Sequence, residues 1–399
     1  MPREPGLSRA LIPLLVAVLG IILGTGGLAL LRKFTPEPPT TLAATAAKGN
    51  AGKALSQQAI EARIEPSVVD VTATLTYDDE TASGTGFVVD AKKVLIVTNN
   101  HVIRDATEVS VTIPATGQSY TARIVGADVP ADIAVLEIKP VPGLKAAPIG
   151  DSADLDANDK VISFGNQAGA GGSPAVGTGM ISGTARTIQA ADGASGFSET
   201  LHNMLATTAK IEPGDSGGPL AGTAGTVIGV DTAAGTGGTS TGYAIPINAA
   251  MAAERQITEG RPAPGVTFGV NGFLGVVVGS SKASSPAKQR AQEHRGTGAA
   301  GSPGGCVSTK SEVLPPTAIA PVRVGALVIG VLCGTGAASA GIASGDVITE
   351  AAGRRIGSPN ELTAIVNGSR PGSVVSVTWV SRSGTLRTSQ VRLGAAPAI

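Results

Sequence analysis

The sequence predicts an all-β fold for its central region, from about residue 59 to residue 247. Short runs rich in β-branched residues recur there, among them Ser67–Ala73, Lys160–Phe164 and Thr226–Val230, and turn-forming residues separate them. The chain contains 55 glycines and 26 prolines among 399 residues, which argues against a mostly helical protein. Many short strands with frequent turns are typical of a β-barrel architecture.

The N-terminal region carries one apolar segment, Leu11–Leu31, that contains no charged residue. A helix of this length would extend about 31 Å, close to the ~30 Å thickness of the hydrocarbon core of a bilayer. We therefore expect one transmembrane helix, preceded by a short tail over 1–10. A cleaved signal peptide is the alternative, because the small residues at 43–47 offer a cleavage site, but the apolar run is longer than a typical signal core.

The composition divides the rest of the chain into two domains joined by linkers. Residues 32–57 are rich in Pro, Thr, Ala and Gly and predict a flexible linker. The first domain is expected over 58–260 and ends in a helix over 245–258. A Pro- and Gly-rich linker over 261–270 leads to the second domain, which is expected over 271–395.

The most informative motif of the chain is GDSGGP, at Gly214–Pro219. A serine hydroxyl is a weak nucleophile, so it needs a neighbouring base and donors that bind the oxyanion formed on attack. In a glycine-rich turn of this kind, the backbone N–H groups of Gly214 and Ser216 point toward the developing charge. The motif predicts Ser216 as a nucleophile and an oxyanion hole at Gly214 and Ser216. An ordinary Gly/Ser turn between two strands is the alternative.

The partners that such a serine needs occur earlier in the chain. His101 follows an apolar, β-branched run, so its ring is expected at the end of a strand. Asp132 begins a second apolar run, and a carboxylate there would fix the tautomer of the imidazole. The order His, Asp, Ser along the chain is that of the chymotrypsin lineage. The other two histidines, His202 and His294, lie in polar stretches and are expected at the surface.

Several phrases of the sequence together resemble HtrA/Deg-type serine proteases. They are Ser83–Val88, Thr98–Val102, Ala131–Leu136, Ile149–Leu155 with Gly165 and Asn166, and Gly214–Leu220. The resemblance covers about 60–250 and implies a chymotrypsin-like double β-barrel with its active site in the cleft between the barrels. It also implies a catalytic triad of His101, Asp132 and Ser216 that needs no metal and no other cofactor. One departure is Asp215, where the family more often has Asn.

The second domain resembles the PDZ domains of the same family. Its opening residues Phe273, Leu274, Gly275 and Val276 resemble the loop that captures a peptide carboxylate, and Ala337–Ile348 resembles the helix–turn–strand signature. The resemblance implies an α+β PDZ-like domain that binds peptide C-termini by adding a strand to a sheet edge. A loop insertion at about 280–321, rich in Ser, Gly and Ala, departs from the family pattern.

The resemblance also implies which residues line the substrate pocket: Ile211, Ala233 and Ala234. One Ile and two Ala imply a shallow apolar pocket for Val, Ala or similar side chains. Cleavage should be permissive, because one methylene changes discrimination by only about 1–3 kcal/mol. Lys210 stands where a small residue is common, and we expect its ammonium group to reach solvent. The alternative is a charge at the pocket mouth that changes substrate preference.

The two cysteines, Cys306 and Cys333, both lie in the C-terminal domain. An even count outside the cytosol fits a disulfide, worth about 3.5 kcal/mol in the chain-entropy model. Two buried free thiols are the alternative. The sequence has no CxxC and no Cys/His cluster, so no zinc site is predicted. Together with the resemblance to exported proteases, the cysteines place both domains on the extracytoplasmic side of the cell membrane.

The sequence as a whole predicts a membrane-tethered serine endopeptidase that degrades unfolded or misfolded exported proteins and is regulated by its PDZ domain. The 30 basic and 30 acidic residues balance, and no basic stripe with interleaved aromatic residues indicates a nucleic-acid partner. The family resemblance implies a homo-oligomer, usually a trimer. Two alternatives stay open: a holdase or scaffold whose PDZ domain recruits partners, and a sensor protease specific for one envelope substrate.

Overall fold

The computed structural model describes residues 54–77, 79–166, 172–191, 198–234, 241–280, 305–308 and 313–398. The predicted membrane span Leu11–Leu31 and most of the predicted linker 32–57 lie outside these residues. Within the part of the chain that the structure describes, no helix is both long enough and apolar enough to cross a bilayer.

The first domain opens with a helix and a closed six-stranded barrel. The strands are β1 (Val68–Leu75), β2 (Glu80–Asp90), β3 (Leu95–Thr98), β4 (Glu108–Ile113), β5 (Gln118–Asp128) and β6 (Ile133–Glu137). Helix α1 (Gln57–Ile64) precedes β1, and the short helix α2 (Asn100–Ile103) follows β3. The strands pair in the order β5-β4-β1-β2-β3-β6, and β6 also pairs with β5, which closes the ring. Apolar side chains such as Val69 and Val71 fill its core.

A second closed barrel of six strands completes the first domain. Its strands are β7 (Lys160–Gly165), β8 (Ala175–Ala191), β9 (Ser198–Thr207), β10 (Pro219–Gly222), β11 (Val227–Ala234) and β12 (Gly242–Pro246). They pair in the order β10-β11-β12-β9-β8-β7. Helix α3 (Ile247–Thr258) follows β12 and buries Ile247 and Ala250 in the core. The predicted double β-barrel is therefore confirmed, and the helix begins at 247 because the two preceding residues belong to β12.

The predicted linker over 32–57 extends too far toward the first domain. The backbone N–H of Leu55 donates to the carbonyl of Thr223 at 2.9 Å, and Ser56 caps α1 by accepting from the N–H of Ala59 at 3.3 Å. Ile60 of this helix is buried in the core that both barrels share. The domain therefore begins at or before Leu55, which a composition-based boundary could not detect.

The predicted linker over 261–270 contains a strand of the barrel sheet. Residues Val266–Phe268 form β13, which pairs antiparallel with β5, with Val266 opposite Asp128. Pairing satisfies backbone groups at the end of β5 that would otherwise need water. The linker prediction was wrong over these residues. The nearby Pro and Gly indicated a linker, although the segment contains a short strand.

The second domain is a sheet covered by two helices, so its predicted α+β class is confirmed. The strands are β14 (Gly272–Phe273), β15 (Val276–Ser280), β16 (Ala326–Val331), β17 (Val347–Ala351), β18 (Arg354–Arg355), β19 (Val374–Val380), β20 (Leu386–Arg392) and β21 (Gly394–Ala395). The helices are α4 (Gly336–Ser339) and α5 (Pro359–Asn367). The main sheet has the order β15-β16-β17-β19-β20, with β18 paired to β17, and β14 pairs with β21. Trp379 is 1% exposed at the centre of the core.

The insertion predicted over 280–321 ends earlier than expected. Ala320 is buried, and its N–H donates to the carbonyl of Gly345 at 2.9 Å. This segment is therefore part of the packed domain, because its apolar residues cover Val347 and Val380. Residues 281–304 and 309–312 of the predicted insertion lie outside the described residues.

The end of the chain contacts the first barrel. The ring of Tyr77, between β1 and β2, packs against the ring of Phe273 with centroids 5.1 Å apart, and its hydroxyl donates to the carbonyl of Ala395 at 3.1 Å. Ala398 exchanges two backbone hydrogen bonds with the segment after α2, donating to Ala106 and accepting from Asp105. The C-terminal residues thus link the second domain to the segment that follows α2.

Candidate active site

Neighbouring strands of the first barrel bring His101 and Asp132 together. Strand β3 is buried along its whole length and leads into α2, which carries His101. Strand β6 pairs with β3, with Thr98 opposite Ala134, and Asp132 directly precedes β6. The turn before β6 closes with a hydrogen bond from the N–H of Asp132 to the carbonyl of Val129 at 3.0 Å. The register of two strands therefore sets the carboxylate beside α2.

The Asp132 carboxylate is fully buried and contacts His101 at two points. Nδ1 of His101 lies 2.9 Å from Oδ2, and the backbone N–H of His101 donates to Oδ1 at 2.9 Å. The hydroxyl of Thr232 donates to Oδ2 at 2.7 Å. Burial acts to raise the pKa of Asp132, but the charge of His101 and these hydrogen bonds outweigh burial and lower it. The carboxylate stays ionised and favours the imidazole tautomer with its proton on Nδ1, which leaves Nε2 basic.

The backbone of Asp132 is fixed by the two asparagines before His101. The side-chain amide of Asn99 donates to the Asp132 carbonyl at 2.9 Å, and the N–H of Asn100 donates to it at 3.2 Å. Both asparagines are fully buried, and Asp132 has a φ of 51°. These bonds hold a backbone conformation that is uncommon for a residue with a Cβ.

Ser216 lies in the turn before β10, in the second barrel. The turn closes with a hydrogen bond from the N–H of Asp215 to the carbonyl of Glu212 at 2.9 Å. Oγ of Ser216 donates to the carbonyl of Thr232 at 3.0 Å. Because the Thr232 hydroxyl also donates to Asp132, this one residue of β11 contacts both the serine and the carboxylate.

The serine turn presents two backbone donors. The N–H groups of Gly214 and Ser216 have no acceptor among the described residues. Gly214 has a φ of +100° and Gly217 a φ of +88°, a region that favours glycine. A Cβ at Gly217 would lie 2.1 Å from the carbonyl oxygen of Thr85. The glycines thus let the turn pack against β2 while two N–H groups are available to bind an oxyanion.

A buried carboxylate, Asp231, lies behind the serine turn. Its N–H donates to the carbonyl of Gly218 at 2.8 Å, and its carbonyl accepts from the N–H of Gly217 at 2.7 Å. The hydroxyl of Ser163 donates to its Oδ2 at 2.7 Å. Burial raises the pKa of Asp231 well above its usual range, the hydrogen bond from Ser163 opposes this, and the charge of Asp215 adds to it.

Asp215, the departure from the family pattern, is held within its own turn. Its Oδ2 accepts from the N–H of Glu212 at 2.8 Å, and the residue is 2% exposed. A Cβ at Gly165 would lie 2.2 Å from Oδ1 of Asp215, so the space for this carboxylate depends on glycine there.

Three residues of the site were not predicted from the sequence: Thr85, Thr232 and Asp231. Thr85 lies inside the quoted motif Ser83–Val88, and its hydroxyl donates to the carbonyl of Gly214 at 2.7 Å. Asp231 and Thr232 lie on β11, which pairs with β10, the strand that follows the serine turn. A polar pair at the end of the apolar run of β11 is the signal that could have found them.

The predicted pocket residues lie on β11 and in the turn before Ser216. Ile211 is 6% exposed, and a Cβ at Gly242 would lie 2.6 Å from its Cδ1. Ala233 and Ala234 lie on β11 opposite Tyr243 and Gly242, respectively. The side chains of the two alanines are outside the described part of the molecule, so the composition of the pocket stays a prediction.

Lys210 carries its charge at the surface beside this turn. Its side chain is 72% exposed, and Nζ forms an ion pair with the Glu212 carboxylate. The opposite charge of Glu212 offsets a positive potential at the pocket mouth.

The predicted peptide-binding loop, Phe273–Val276, leads into β15. This strand is at one end of the sheet, and its outer edge has no strand partner among the described residues. Gly275 has a φ of +83°, and a Cβ there would lie 2.2 Å from the Cβ of Thr335. The loop thus depends on glycine to turn beside α4 and to leave a strand edge open.

Cys306 and Cys333 are joined by a disulfide. Val307 forms a parallel bridge with Leu332, so the returning end of the predicted insertion is fastened beside β16. Among the residues that the structure describes, no group of three or more His, Cys, Asp or Glu side chains could hold a metal ion.

Two family models match the chain. A trypsin-like peptidase domain model matches residues 84–230, and a PDZ domain model matches residues 262–393. The first match contains His101, Asp132 and Ser216, and the second contains the loop Phe273–Val276.

Three curated proteins illustrate what the chain is similar to. Serine protease Do-like HtrB of Bacillus subtilis is 44% identical over 168 residues, which cover 42% of this chain and 36% of that protein. Serine protease PepD of Mycobacterium tuberculosis is 30% identical over 361 residues, covering 86% of this chain and 66% of PepD. Serine protease Do-like HtrA of Lactobacillus helveticus is 31% identical over 328 residues, covering 80% of this chain and 69% of that protein. The chain thus spans between about one third and two thirds of the length of the first two of these relatives.

Proposed function

Because the chain belongs to the HtrA family of trypsin-like serine proteases with a PDZ domain, we propose that it is a serine endopeptidase that degrades unfolded or misfolded exported proteins. The observation that supports this activity is the hydrogen-bonded arrangement of His101, Asp132, Thr232 and Ser216. Contacts of 2.7–3.0 Å link the carboxylate to the imidazole, and Thr232 to both the carboxylate and the serine.

The proposed reaction uses Ser216 as the nucleophile and His101 as the base, while the Asp132 carboxylate orients the imidazole. Oγ of Ser216 attacks the carbonyl carbon of the scissile peptide bond, and Nε2 of His101 takes the hydroxyl proton. The negative charge moves to the carbonyl oxygen, where the N–H groups of Gly214 and Ser216 bind it. His101 then gives its proton to the leaving amine, and the acyl group stays on Ser216. A water molecule, deprotonated by His101, hydrolyses the ester and regenerates the serine.

Hydrolysis of a denatured protein such as casein tests the activity. Ser216→Ala should abolish hydrolysis and labelling by a fluorophosphonate, because the attacking oxygen is removed. Ser119→Ala is the matched control, since the Ser119 hydroxyl forms its hydrogen bond with Thr112 on the exposed face of the first barrel. Wild-type protein that neither cuts casein nor reacts with the fluorophosphonate would contradict the protease and favour the holdase or scaffold.

The PDZ domain is proposed to bind peptide C-termini along β15 and to regulate cleavage. The open edge of β15 and the preceding loop Phe273–Val276 support this, because an extended peptide can add a strand there and place its carboxylate at the loop. Titration of a peptide with a free C-terminus should give saturable binding, and the amidated peptide should bind at least tenfold more weakly. Equal affinities would contradict carboxylate capture. A homo-oligomer, with a trimer expected from the family, is part of the same proposal, and light scattering of the purified chain tests it.

The chain is also proposed to be anchored in the cell membrane by Leu11–Leu31, with both domains on the extracytoplasmic side. The charge-free length of this run and the disulfide, which is typical of oxidising compartments, support the proposal. After carbonate extraction, the full chain should stay with the membrane pellet, and deletion of 11–31 should release it. Added protease should digest both domains in intact spheroplasts. A shortened, soluble wild-type chain would instead indicate a cleaved signal peptide.

A further inference from the structure

We propose that Thr85 is a positioning residue that holds the serine turn in the conformation of a formed oxyanion hole. Thr85 belongs to β2 of the first barrel, and the serine turn belongs to the second. The proposal rests on the proposed serine endopeptidase activity and assigns a role in it to a residue that touches neither the substrate nor the reacting atoms.

Thr85 binds the carbonyl groups on both sides of one peptide bond. Its hydroxyl donates to the carbonyl of Gly214 at 2.7 Å, and its backbone N–H donates to the carbonyl of Ser216 at 2.8 Å. Between these carbonyls lies the Asp215–Ser216 peptide, whose N–H is one of the two oxyanion donors. Two anchors from one residue therefore restrict the rotation of this peptide and of its neighbours.

The peptide between Gly214 and Asp215 is held at both of its polar ends. Thr85 binds its carbonyl, and the N–H of Asp215 donates to the carbonyl of Glu212 at 2.9 Å. Gly214, at the start of this peptide, has a φ of +100° and no Cβ to restrict it. Because a glycine has no side chain to limit rotation, the fixed carbonyl supplies the restraint on the preceding N–H that Gly214 itself lacks.

Every polar atom of Thr85 forms a hydrogen bond. It is fully buried; its carbonyl accepts from the hydroxyl of Thr98 at 2.7 Å, and its Oγ1 accepts from the N–H of Asn166 at 2.9 Å. Because Asn166 occupies one lone pair of Oγ1, the hydroxyl proton is directed to Gly214. Strand pairing places Asp70 opposite Thr85, and Asp70 is hydrogen-bonded to the Asn166 side chain. The position of Thr85 is therefore fixed by the strands of the first barrel.

Loss of the hydroxyl should lower the rate of the chemical step more than it weakens substrate binding. A donor aimed at the oxyanion acts mainly in the transition state, so a disordered donor reduces kcat and leaves KM nearly unchanged. A net loss equivalent to one hydrogen bond corresponds to about a tenfold change in rate. The same reasoning predicts weaker binding of a peptide boronate, which forms a tetrahedral adduct on Ser216.

The experiment compares Thr85→Val, which has nearly the same shape without the hydroxyl, with Thr85→Ser, which keeps it. We expect kcat on a peptide substrate to fall about tenfold in the Val variant with KM within about twofold, and to recover in the Ser variant. Fluorophosphonate labelling and boronate affinity should fall in parallel. Thr107→Val is the control, because the Thr107 hydroxyl also donates to a carbonyl, that of Thr74, and accepts a backbone N–H, that of Thr76.

The outcomes separate this proposal from the proposed function. Inactive, unlabelled wild-type protein means that the endopeptidase assignment fails. Active wild-type protein with a folded Thr85→Val variant of unchanged kcat overturns the positioning role. An equal loss of kcat in Thr85→Val and Thr107→Val also overturns it. Such a result would mean that general destabilisation of the fold causes the loss. If Thr85→Val does not fold by circular dichroism, the comparison of Thr85→Ala with Thr85→Ser decides between the same results.

Discussion

Asp70→Asn tests whether a buried carboxylate behind the active site makes the stability of the protein depend on pH. Asp70 is 7% exposed, lies opposite Thr85 in the β1–β2 pairing, and has one oxygen without a hydrogen-bond partner among the described residues. Burial raises its pKa from 3.8 to about 6, against the opposing effect of the hydrogen bond from Asn166. The neutral acid is thus the form that the fold accommodates.

The sign and size of the effect follow from linkage between protonation and folding. Below about pH 4 the carboxyl is neutral in both states, so the fold carries no penalty. Between about pH 4 and pH 6, the Asp70 carboxyl ionises in the unfolded chain but stays largely protonated in the folded chain. This ionisation stabilises the unfolded chain, so the free energy of unfolding falls as the pH rises. The rise of the pKa from 3.8 to about 6 corresponds to a loss of about 3 kcal/mol in the free energy of unfolding. This loss is complete above about pH 6. Asn cannot ionise, so the variant should lack this loss.

Urea unfolding of the full chain in a Ser216→Ala background, which prevents self-digestion, compares the Asp70→Asn variant with its parent from about pH 4 to about pH 8. Far-UV circular dichroism follows the barrels. Fluorescence of Trp379, the one tryptophan of the chain, separately follows the second domain. We expect the variant to gain about 3 kcal/mol relative to its parent between about pH 4 and pH 7.

The control is Asp90→Asn, because backbone N–H groups of Lys93 and Lys92 lower the pKa of Asp90. Because the Asp90 carboxyl is ionised above about pH 5 in both the folded and the unfolded chain, the free-energy difference between this variant and its parent should stay nearly constant from about pH 5 to about pH 8. A difference between the Asp70→Asn variant and its parent that does not change with pH would refute the reasoning, since it would mean that Asp70 titrates equally in the folded and unfolded states.

Three further predictions concern the pocket and the second domain. Gly242→Val should lower kcat/KM at least tenfold for peptides with Val before the scissile bond, and less for peptides with Ala there. The reason is that a Cβ at 242 already lies 2.6 Å from Cδ1 of Ile211, so a larger side chain would fill the pocket. An unchanged ratio of kcat/KM between the two peptides contradicts the assigned pocket. Cys306→Ser should lower the stability of the second domain by about 2–4 kcal/mol in Trp379 fluorescence, because it opens the disulfide-closed loop, and reductant should then have no further effect. Trp379→Ala should cost about 3–5 kcal/mol, measured by circular dichroism of the second domain's transition, and a loss below about 1 kcal/mol would show that the core closes around the cavity.

Much of the catalytic arrangement could be predicted from the sequence because it is encoded locally. A buried β-branched run ending before His101, another beginning after Asp132, and glycines around Ser216 each specify a strand end or a turn. The positions of the three side chains follow from which strands pair, and the family motifs fix that pairing. Ala233 and Ala234 were assigned to the pocket by the family resemblance, and the structure places both on β11 without describing their side chains.

Other features depend on contacts between segments far apart in the chain, which local patterns do not encode. The helix at Gln57–Ile64 and the strand at Val266–Phe268 overlap predicted linkers, since each is short and is stabilised by packing or pairing with a barrel rather than by its own periodicity. The raised pKa of Asp70 likewise arises from burial, and sequence alone does not reveal whether a carboxylate is buried.

The sequence by itself determined the family, the double barrel with a second α+β domain, and the three side chains expected to carry out the reaction. Only the tertiary structure decided how those side chains are held. Thr85 and Gly214 are 129 residues apart, yet one hydroxyl joins them at 2.7 Å. Thr232 joins the serine and the carboxylate across the two barrels in the same way. Such contacts depend on how two closed barrels pack against each other, and that packing sets distances that no single stretch of sequence specifies.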